Sequence, residues 1–322
     1  MSTVDEVILL GGAQMPTLME RVEHVLEETS AGGGPELRAA ASDTLSAGGK
    51  RLRPLLVLIC GGSRDDDALV RAAAAVELIH MATLVHDDVV DNARLRRGRP
   101  TVLASRGRET ATATGDFLFS RSFALLAANG EGEQVKVLSD ACVALARGEL
   151  AQRHDAYRLD LQEQRYLLRC ELKTARLFSA ACRLGGLAAG RPAREVAALE
   201  AYGRRLGLAF QMLDDLLDVS APAERTGKHR GTDLLDGTVT LPLILAAASD
   251  PELARVDLHA VSSRADAEQL CDRIAATGAL GLTRNRATSL VSDAKDALRY
   301  AVDAQLERSL ADVADRIAAR YA

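Results

Sequence analysis

The sequence lacks every common cysteine or histidine metal signature. Its five cysteines form no CxxC pair and no zinc-ligand spacing, and none of its six histidines belongs to an HExxH motif. An odd number of scattered cysteines also gives no support for a disulfide framework. These absences are typical of a reduced cytosolic protein with buried thiols.

Long hydrophobic runs are missing as well. No stretch approaches the roughly 20 uninterrupted apolar residues of a typical membrane span, and the N-terminus has no basic segment followed by a long apolar run. The net charge of −5 argues against a nucleic-acid partner or an anionic membrane partner at the level of the whole surface. We therefore expect a cytoplasmic protein without a transmembrane segment.

What the sequence does contain is helical pattern almost throughout. Hydrophobic residues make up 48% of the chain and charged residues 26%, with Ala, Leu, Arg and Glu dominant and apolar residues recurring every three or four positions. No run alternates for long enough to predict a strand. The pattern predicts an all-α protein. The clearest predicted helices cover residues 67–90, 100–128, 134–155, 162–187 and 195–219.

An Asp-Asp-x-x-Asp cluster occurs twice, each time at the end of an apolar helical stretch. The six carboxylates are Asp87, Asp88 and Asp91 in the first motif and Asp214, Asp215 and Asp218 in the second. Residues four apart share a helix face, so the outer two carboxylates of each motif point the same way. Such pairs suit Mg²⁺, which takes one or two carboxylates together with phosphate oxygens. The alternative, two solvated acidic helix ends, is disfavoured because each motif is embedded in apolar sequence.

The two acidic motifs lie far apart in the chain, yet the chemistry needs them together. No glycine- or proline-rich breaker is long enough to be a domain linker. One large helical domain over residues 1–322, with both motifs lining a central cavity, satisfies this requirement better than two independent domains.

A basic turn, residues 48–54 (Gly-Gly-Lys-Arg-Leu-Arg-Pro), is the first candidate anion site. Lys50 and Arg53 lie three apart and share a side if a helix begins there. Arg offers a planar fork and Lys a point charge, a pair that suits a diphosphate. A solvated basic turn is the alternative.

Four arginines follow the first acidic motif, in the segment 92–100. They could simply neutralise the aspartates at the surface. In the more specific interpretation, metal held by Asp87 and Asp91 binds one end of a diphosphate while Arg96 or Arg97 binds the other. His80 lies two turns before Asp87 on the same face. It could be either a histidine packed in the core or a residue that binds the ligand.

Three further polar groups stand near these motifs in helical or loop sequence: Lys173, Gln211 and Lys228. Each signal alone is weak. Together they would supply polar and cationic groups around the same cavity.

Taken together, these residues resemble the trans-isoprenyl diphosphate synthases, the polyprenyl synthetase family. The resemblance runs from about residue 48 to residue 242. The matching strings are GGKRLRP, LIHMATLVHDDVVDNARLRRGRPT, KTARLF, FQMLDDLLDV and GKHRGTDLLDGTVTLP. It implies the isoprenoid synthase fold and condensation of isopentenyl diphosphate with an allylic diphosphate.

Metal roles follow from the same resemblance. Asp87 and Asp91 would bind magnesium ions that hold the allylic diphosphate, with Asp88 in support. Asp214 would bind a further magnesium, reached by Asp218 through water, so that three ions are implied. Asp215 belongs to the same motif.

Substrate roles are implied residue by residue. Isopentenyl diphosphate would be bound by Lys50, Arg53, His80 and Arg97. The allylic diphosphate would be held by Arg96, Lys173 and Lys228, while Thr174 and Gln211 would lie against the developing cation. One departure is visible, because Thr238 stands where family members often carry Lys, which puts one peripheral phosphate contact in doubt.

Helix geometry suggests the path of the product, and the family resemblance implies that Ala82 and Thr83 lie where the product length is first limited. The growing tail should run from the first motif towards the N-terminus of its helix, past Thr83 and Ile79 and then Val76. Ala82 and Thr83 are small where short-chain synthases often place an aromatic ring, so we expect a long-chain product. The floor of the tunnel would lie deeper, at Phe119 or Phe123; alternatively, Ala82 and Thr83 only pack against another helix.

Three alternatives remain beside a long-chain synthase: a geranylgeranyl or farnesyl diphosphate synthase, a class I terpene cyclase, and a non-catalytic subunit of a two-chain synthase. A cyclase has no use for the GGKRLRP turn, and non-catalytic subunits typically lose the aspartate motifs. The resemblance also implies a homodimer. Transient membrane contact during product release is compatible with this picture.

Overall fold

The computed structural model describes residues 11–220 and 229–320, and helices dominate both stretches. We label them α1 Met15–Ala31, α2 Gly34–Ser46, α3 Leu52–Cys60, α4 Asp67–Val90, α5 Val102–Arg106, α6 Arg108–Ala127, α7 Gly132–Asp155, α8 Glu163–Cys170, α9 Arg176–Ala188, α10 Ala193–Ser220, α11 Thr232–Leu235, α12 Leu241–Ser249, α13 Arg264–Ala276, α14 Ala279–Leu298 and α15 Ala304–Arg320. A π-helical turn, Glu171–Ala175, joins α8 to α9, and 3₁₀ turns occupy Leu253–Arg255 and Leu258–Ala260. The prediction of an all-α protein is confirmed.

The predicted helices differ from the observed ones mainly where the structure interrupts a helix that the sequence predicted as continuous. Helix α4 has the predicted bounds, 67–90. The single helix predicted over 100–128 is wrong, because Gly107 adopts φ +85° and ψ 173° and separates α5 from α6. The helix predicted over 162–187 contains the π-helical turn, which periodicity does not reveal because it adds one residue to a turn without changing the apolar content.

The structure adds two very short strands that the sequence pattern did not predict. β1, Leu95–Arg96, pairs antiparallel with β2, Arg99–Pro100. The two residues between them have positive φ, +53° at Arg97 and +76° at Gly98, as a two-residue hairpin turn that matches the strand twist requires. Two-residue strands are too short to show alternation in the sequence.

The basic turn also differs from its prediction. Helix α3 begins at Leu52, and Arg51 before it has φ +45°. Arg53 therefore lies in the first turn of α3 while Lys50 precedes the helix, so the condition under which the two residues were expected to share a side is not met.

The chain divides into two compact units, which we describe separately. Unit 1 comprises Met1–Cys142, Ala180–Glu200 and Tyr300–Leu310. Within it, α4 packs against α6, α3 and α1, and the alanine run 72–75 of α4 is completely buried. Small side chains allow the helix backbones to approach closely, and aliphatic residues of α3 and α4 fill the remaining core.

Unit 2 comprises Val143–Ser179, Ala201–Arg299 and Ala311–Ala322. Its largest buried side chains are Tyr166, Tyr202 and Phe178, and the Phe178 and Phe210 rings lie 5.3 Å apart. Helix α12 packs against α14, and α13 packs against α11. That residues 1–322 form a single domain stays a prediction.

The burial of α4 bears on the membrane question. By length and composition this helix could span a membrane, with a mean hydropathy of 1.6 over its most apolar 18-residue window. However, 72% of that window is buried inside the protein, and the core helix of a soluble protein meets the same criteria.

Gly185 on α9 marks a helix contact too close for any side chain. A Cβ there would collide with the Val57 carbonyl oxygen and lie 2.8 Å from Cys60 Cβ. We expect Gly185→Ala to lower the free energy of unfolding by roughly 1–3 kcal/mol, because overpacking a closed core forces backbone shifts.

Gly281 on α14 provides the matched control. A Cβ there meets open space, so Gly281→Ala should raise stability by about 0.5–1 kcal/mol through helix propensity. Thermal and urea unfolding monitored by circular dichroism compare the two variants. Equal effects of the same sign would contradict the close contact at Gly185.

Candidate active site

The first aspartate motif lies at the C-terminal end of α4. Asp87 is in the last helical turn, and the Asp91 N–H donates to the Asp87 carbonyl oxygen at 2.8 Å. Asp87 is partly exposed and Asp91 is exposed. The unsatisfied carbonyls at the end of a 24-residue helix add negative potential to that of the carboxylates. This end of α4 therefore attracts cations.

Asp88 has a different environment from its neighbours. It is only 5% exposed, and both Nε and Nη2 of Arg96 lie 2.8 Å from Asp88 Oδ1. Burial raises the pKa of Asp88, while the Arg96 guanidinium opposes that rise. The side chain thus fixes the hairpin arginine to α4, in keeping with the supporting role that the resemblance implies.

Cationic groups surround His80 in unit 1. Burial, followed by the charges of four arginines, lowers the pKa of His80 well below its usual value; the arginines are Arg53, Arg97, Arg96 and Arg51. His80 is therefore neutral at pH 7, with one ring nitrogen able to donate and the other to accept. The structure brings Arg53, Arg96 and Arg97 together around it, as the sequence predicted for a polyanion site.

A small cavity of about 40 Å³ opens beside His80 in the same unit. Its polar lining includes Gly48, Arg51, Glu77, His80, Asp88, Arg96 and Arg97. Arg97 Nη1 donates to the Gly48 carbonyl, and Arg99 Nη1 donates to the Ser46 carbonyl at 2.8 Å. These two arginines therefore tie the hairpin to the backbone at the end of α2 and in the basic turn.

The second motif ends α10 in unit 2. Asp214 is exposed, and the two carboxylate oxygens of Asp218 accept backbone N–H groups of Thr232 and Asp233 at 3.2 and 3.1 Å. Asp215 is buried and accepts from the Tyr166 hydroxyl at 2.6 Å and from Gln211 Nε2 at 2.7 Å. Burial raises the pKa of Asp215 to about 6.

Lys173 and Thr174 lie on the π-helical turn of unit 2. The Thr174 hydroxyl donates to Gln211 Oε1 at 2.6 Å, and Lys173 Nζ donates to Glu149 at 2.5 Å. Gly148 on α7 sits directly against the Lys173 backbone, where an added Cβ would lie 2.7 Å from the nitrogen. The π-helical turn therefore presents two adjacent polar side chains that an α-helix would rotate differently.

Sequence reasoning missed two members of this group, Glu149 and Tyr166. Glu149 pairs with Lys173, and Tyr166 holds Asp215. Neither stands within a recognisable motif, and only the tertiary structure identifies them. Lys228, predicted to bind the allylic diphosphate, lies outside the described residues.

The carboxylates fit a hard divalent cation that keeps part of its water. Among the described residues, no three His, Cys, Asp or Glu side chains form a ready metal centre. Each motif instead presents two outer carboxylates at a helix end, while its middle carboxylate is turned inward. Two carboxylates completed by phosphate oxygens and water are typical of magnesium bound with its substrate.

The predicted chain-length residues lie along α4 of unit 1. Ile79 and Ala82 are completely buried, and Thr83 is partly exposed. On α6, Phe119 stacks on the His86 ring with centroids 5.6 Å apart, and Phe123 is partly exposed. Whether a product tail passes these positions stays a prediction.

Comparisons with known proteins give one consistent result. The polyprenyl synthetase family profile matches residues 34–277. The chain is 44% identical over 257 residues to heptaprenyl diphosphate synthase component 2 of Geobacillus stearothermophilus, a match that covers 79% of this chain and 80% of that protein.

Solved structures agree in fold. A decaprenyl diphosphate synthase from Rhodobacter capsulatus superposes with a TM-score of 0.90 and 35% identity, covering 99% of both chains. A polyprenyl synthase from Caulobacter crescentus, complexed with calcium and isoprenyl diphosphate, has the same TM-score and identity, covering 99% of this chain and 98% of that one. The chain therefore belongs to the polyprenyl synthetase family of trans-prenyltransferases and has the all-α isoprenoid synthase fold.

Proposed function

We propose that this chain adds isopentenyl diphosphate repeatedly to an allylic diphosphate, with the residue roles given below. The observation that carries the proposal is the placement of Arg53 and Arg97 near a neutral His80, two turns from Asp87 on α4, with His80 and Arg97 lining one cavity. A neutral imidazole between guanidiniums suits isopentenyl diphosphate, because it donates a hydrogen bond without adding to the repulsion between cations.

In this proposal Asp87 and Asp91, together with Asp214 and Asp218, hold magnesium, three ions by the family resemblance. When bound, magnesium neutralises the allylic diphosphate as it leaves, so that the allylic C–O bond ionises. Arg96, Lys173 and Lys228 hold the same diphosphate. The exposure of the outer carboxylates and the position of both motifs at helix ends support these roles.

The condensation needs no dedicated base. The double bond of isopentenyl diphosphate attacks the allylic carbon, forming the new C–C bond, and a proton then leaves the adduct for the departed diphosphate. Thr174 and Gln211 lie against the developing cation, and their mutual hydrogen bond fixes both side chains. The apolar side chains of α4 exclude water, which would otherwise quench the cation.

For assembly we propose a homodimer in the cytoplasm, with only transient membrane contact when the product leaves. The relative from Geobacillus stearothermophilus is named a component 2, so an obligate second subunit is the alternative. The purified protein alone, given farnesyl diphosphate, isopentenyl diphosphate and Mg²⁺, decides between them. Elongated products support an independent enzyme, and light scattering gives its subunit number.

Removing the metal tests the role of the aspartates. We expect chelation by EDTA to abolish elongation and excess Mg²⁺ or Mn²⁺ to restore it, because oxygen ligands dominate the site. Product formation is followed with radiolabelled isopentenyl diphosphate. Full turnover in excess EDTA would refute a metal-dependent ionisation step.

Two substitutions separate the two diphosphates. Arg53→Ala should raise the KM for isopentenyl diphosphate by about tenfold or more, whereas Asp87→Ala should lower kcat by roughly 100-fold or more through impaired ionisation. Arg121→Ala, at an exposed position of α6, is the control. An unchanged KM for isopentenyl diphosphate in Arg53→Ala would show that the basic turn binds something else.

Blocking the tail path tests product length. We expect Ala82→Phe or Thr83→Phe to shorten the product, because an aromatic ring at either position fills the space that the growing chain needs. Ser292→Phe, at an exposed position of α14, adds the same ring outside the path. Chromatography of the dephosphorylated products measures chain length. A long product retained by both active variants would exclude this path.

A further inference from the structure

Arg51 stands in the middle of the basic turn but is turned inward. Its side chain is 11% exposed, and its hydrogen bonds join three helices. Arg51 Nε and Nη2 donate to the two carboxylate oxygens of Glu23 on α1, at 2.6 and 3.3 Å. Arg51 Nη1 donates to Glu77 on α4 at 3.1 Å, and Nη2 also donates to the Leu45 carbonyl oxygen of α2 at 3.3 Å.

The backbone of Arg51 is strained in a way that this side chain maintains. Its φ of +45° and ψ of 30° lie in the left-handed region, which non-glycine residues rarely adopt. Such a strained conformation persists only when contacts with the surrounding residues compensate for its cost. Here the hydrogen-bonded guanidinium holds the turn, and the turn sets the position of Lys50 just before α3 and of Arg53 in the first turn of α3.

Glu77 is the buried end of this network. It is 3% exposed and lies one turn before His80 on α4. A buried carboxylate requires a cation, and Arg51 supplies it. The charge of Glu77 also acts on Arg97, opposing the lowering of the Arg97 pKa by burial and by the neighbouring Arg96. Its negative charge therefore offsets part of the repulsion among the clustered arginines.

We propose that Arg51, clamped between Glu23 and Glu77, is a positioning residue that presents Lys50 and Arg53 to isopentenyl diphosphate and does not itself bind the substrate. Its bonds already engage Nε, Nη1 and Nη2, so the guanidinium is committed to the protein. This inference rests on the proposed assignment of the basic turn to isopentenyl diphosphate.

The experiment compares variants that alter the clamp without touching the substrate groups. Arg51→Lys removes the planar fork but keeps the charge, Glu77→Gln keeps the shape but removes the charge, and Glu23→Gln changes the partly exposed end of the network. Glu27→Gln is the matched control, since Glu27 is an exposed carboxylate one turn further along the same helix α1.

For Arg51→Lys and Glu77→Gln we expect the KM for isopentenyl diphosphate to rise about tenfold, the size expected when charge-assisted hydrogen bonds that orient binding groups are lost. The KM for the allylic diphosphate should stay within about twofold, because that substrate is held elsewhere. Glu23→Gln should show a smaller rise of the same kind, and Glu27→Gln none. Calorimetric titration with isopentenyl diphosphate, which measures its Kd without turnover, should rank the variants in the same order.

Two results would overturn the inference. One is an unchanged KM for isopentenyl diphosphate in folded Arg51→Lys and Glu23→Gln proteins, with folding checked by thermal melting. The other is an equal loss for both substrates, which indicates general destabilisation. If Arg53→Ala also leaves that KM unchanged, the proposed function of the turn fails; if Arg53→Ala raises it, only the positioning role fails.

Discussion

Repulsion between like charges is the constraint on which the candidate site depends. Binding a diphosphate requires several cations close together, and binding magnesium requires several carboxylates close together. Without a bound ligand, the charges within each of these clusters repel one another unless opposite charges lie nearby. The protein supplies an opposite charge at each critical point: Asp88 for Arg96, Glu23 and Glu77 for Arg51, and Glu149 for Lys173. Each of these cations is therefore neutralised within its own compact unit.

The two aspartate motifs solve this problem in the same way. In each, the middle carboxylate is buried and hydrogen-bonded, Asp88 to Arg96 and Asp215 to Tyr166 and Gln211. The outer carboxylates occupy the more exposed positions at the end of a long helix. Helical periodicity explains this division, because the second residue of the motif points about 100° away from the first while the fifth returns to its face. One carboxylate therefore anchors the helix end, while the outer two share another face of the helix.

Irregular backbone coincides with the polar groups of the site. Arg51 and Arg97 have positive φ, and Lys173 and Thr174 lie on a π-helical turn. Each irregularity re-aims a side chain that regular helix geometry would direct elsewhere, and each is held by hydrogen bonds to a neighbouring element. The regular parts of α4 and α10, by contrast, carry the motifs that depend on strict four-residue spacing.

The sequence by itself determined the all-α class, the bounds of α4 and the residues that form the aspartate motifs and the arginine cluster. Those features depend on local periodicity and on residue chemistry, which any helix of that sequence shares. Only the tertiary structure decided that α3 begins at Leu52, that a hairpin carries Arg97, and which charged or polar groups pair with Glu77, Glu149 and Tyr166. These outcomes depend on contacts between residues distant in sequence, because a buried charge selects its partner by proximity in space, which local pattern does not encode.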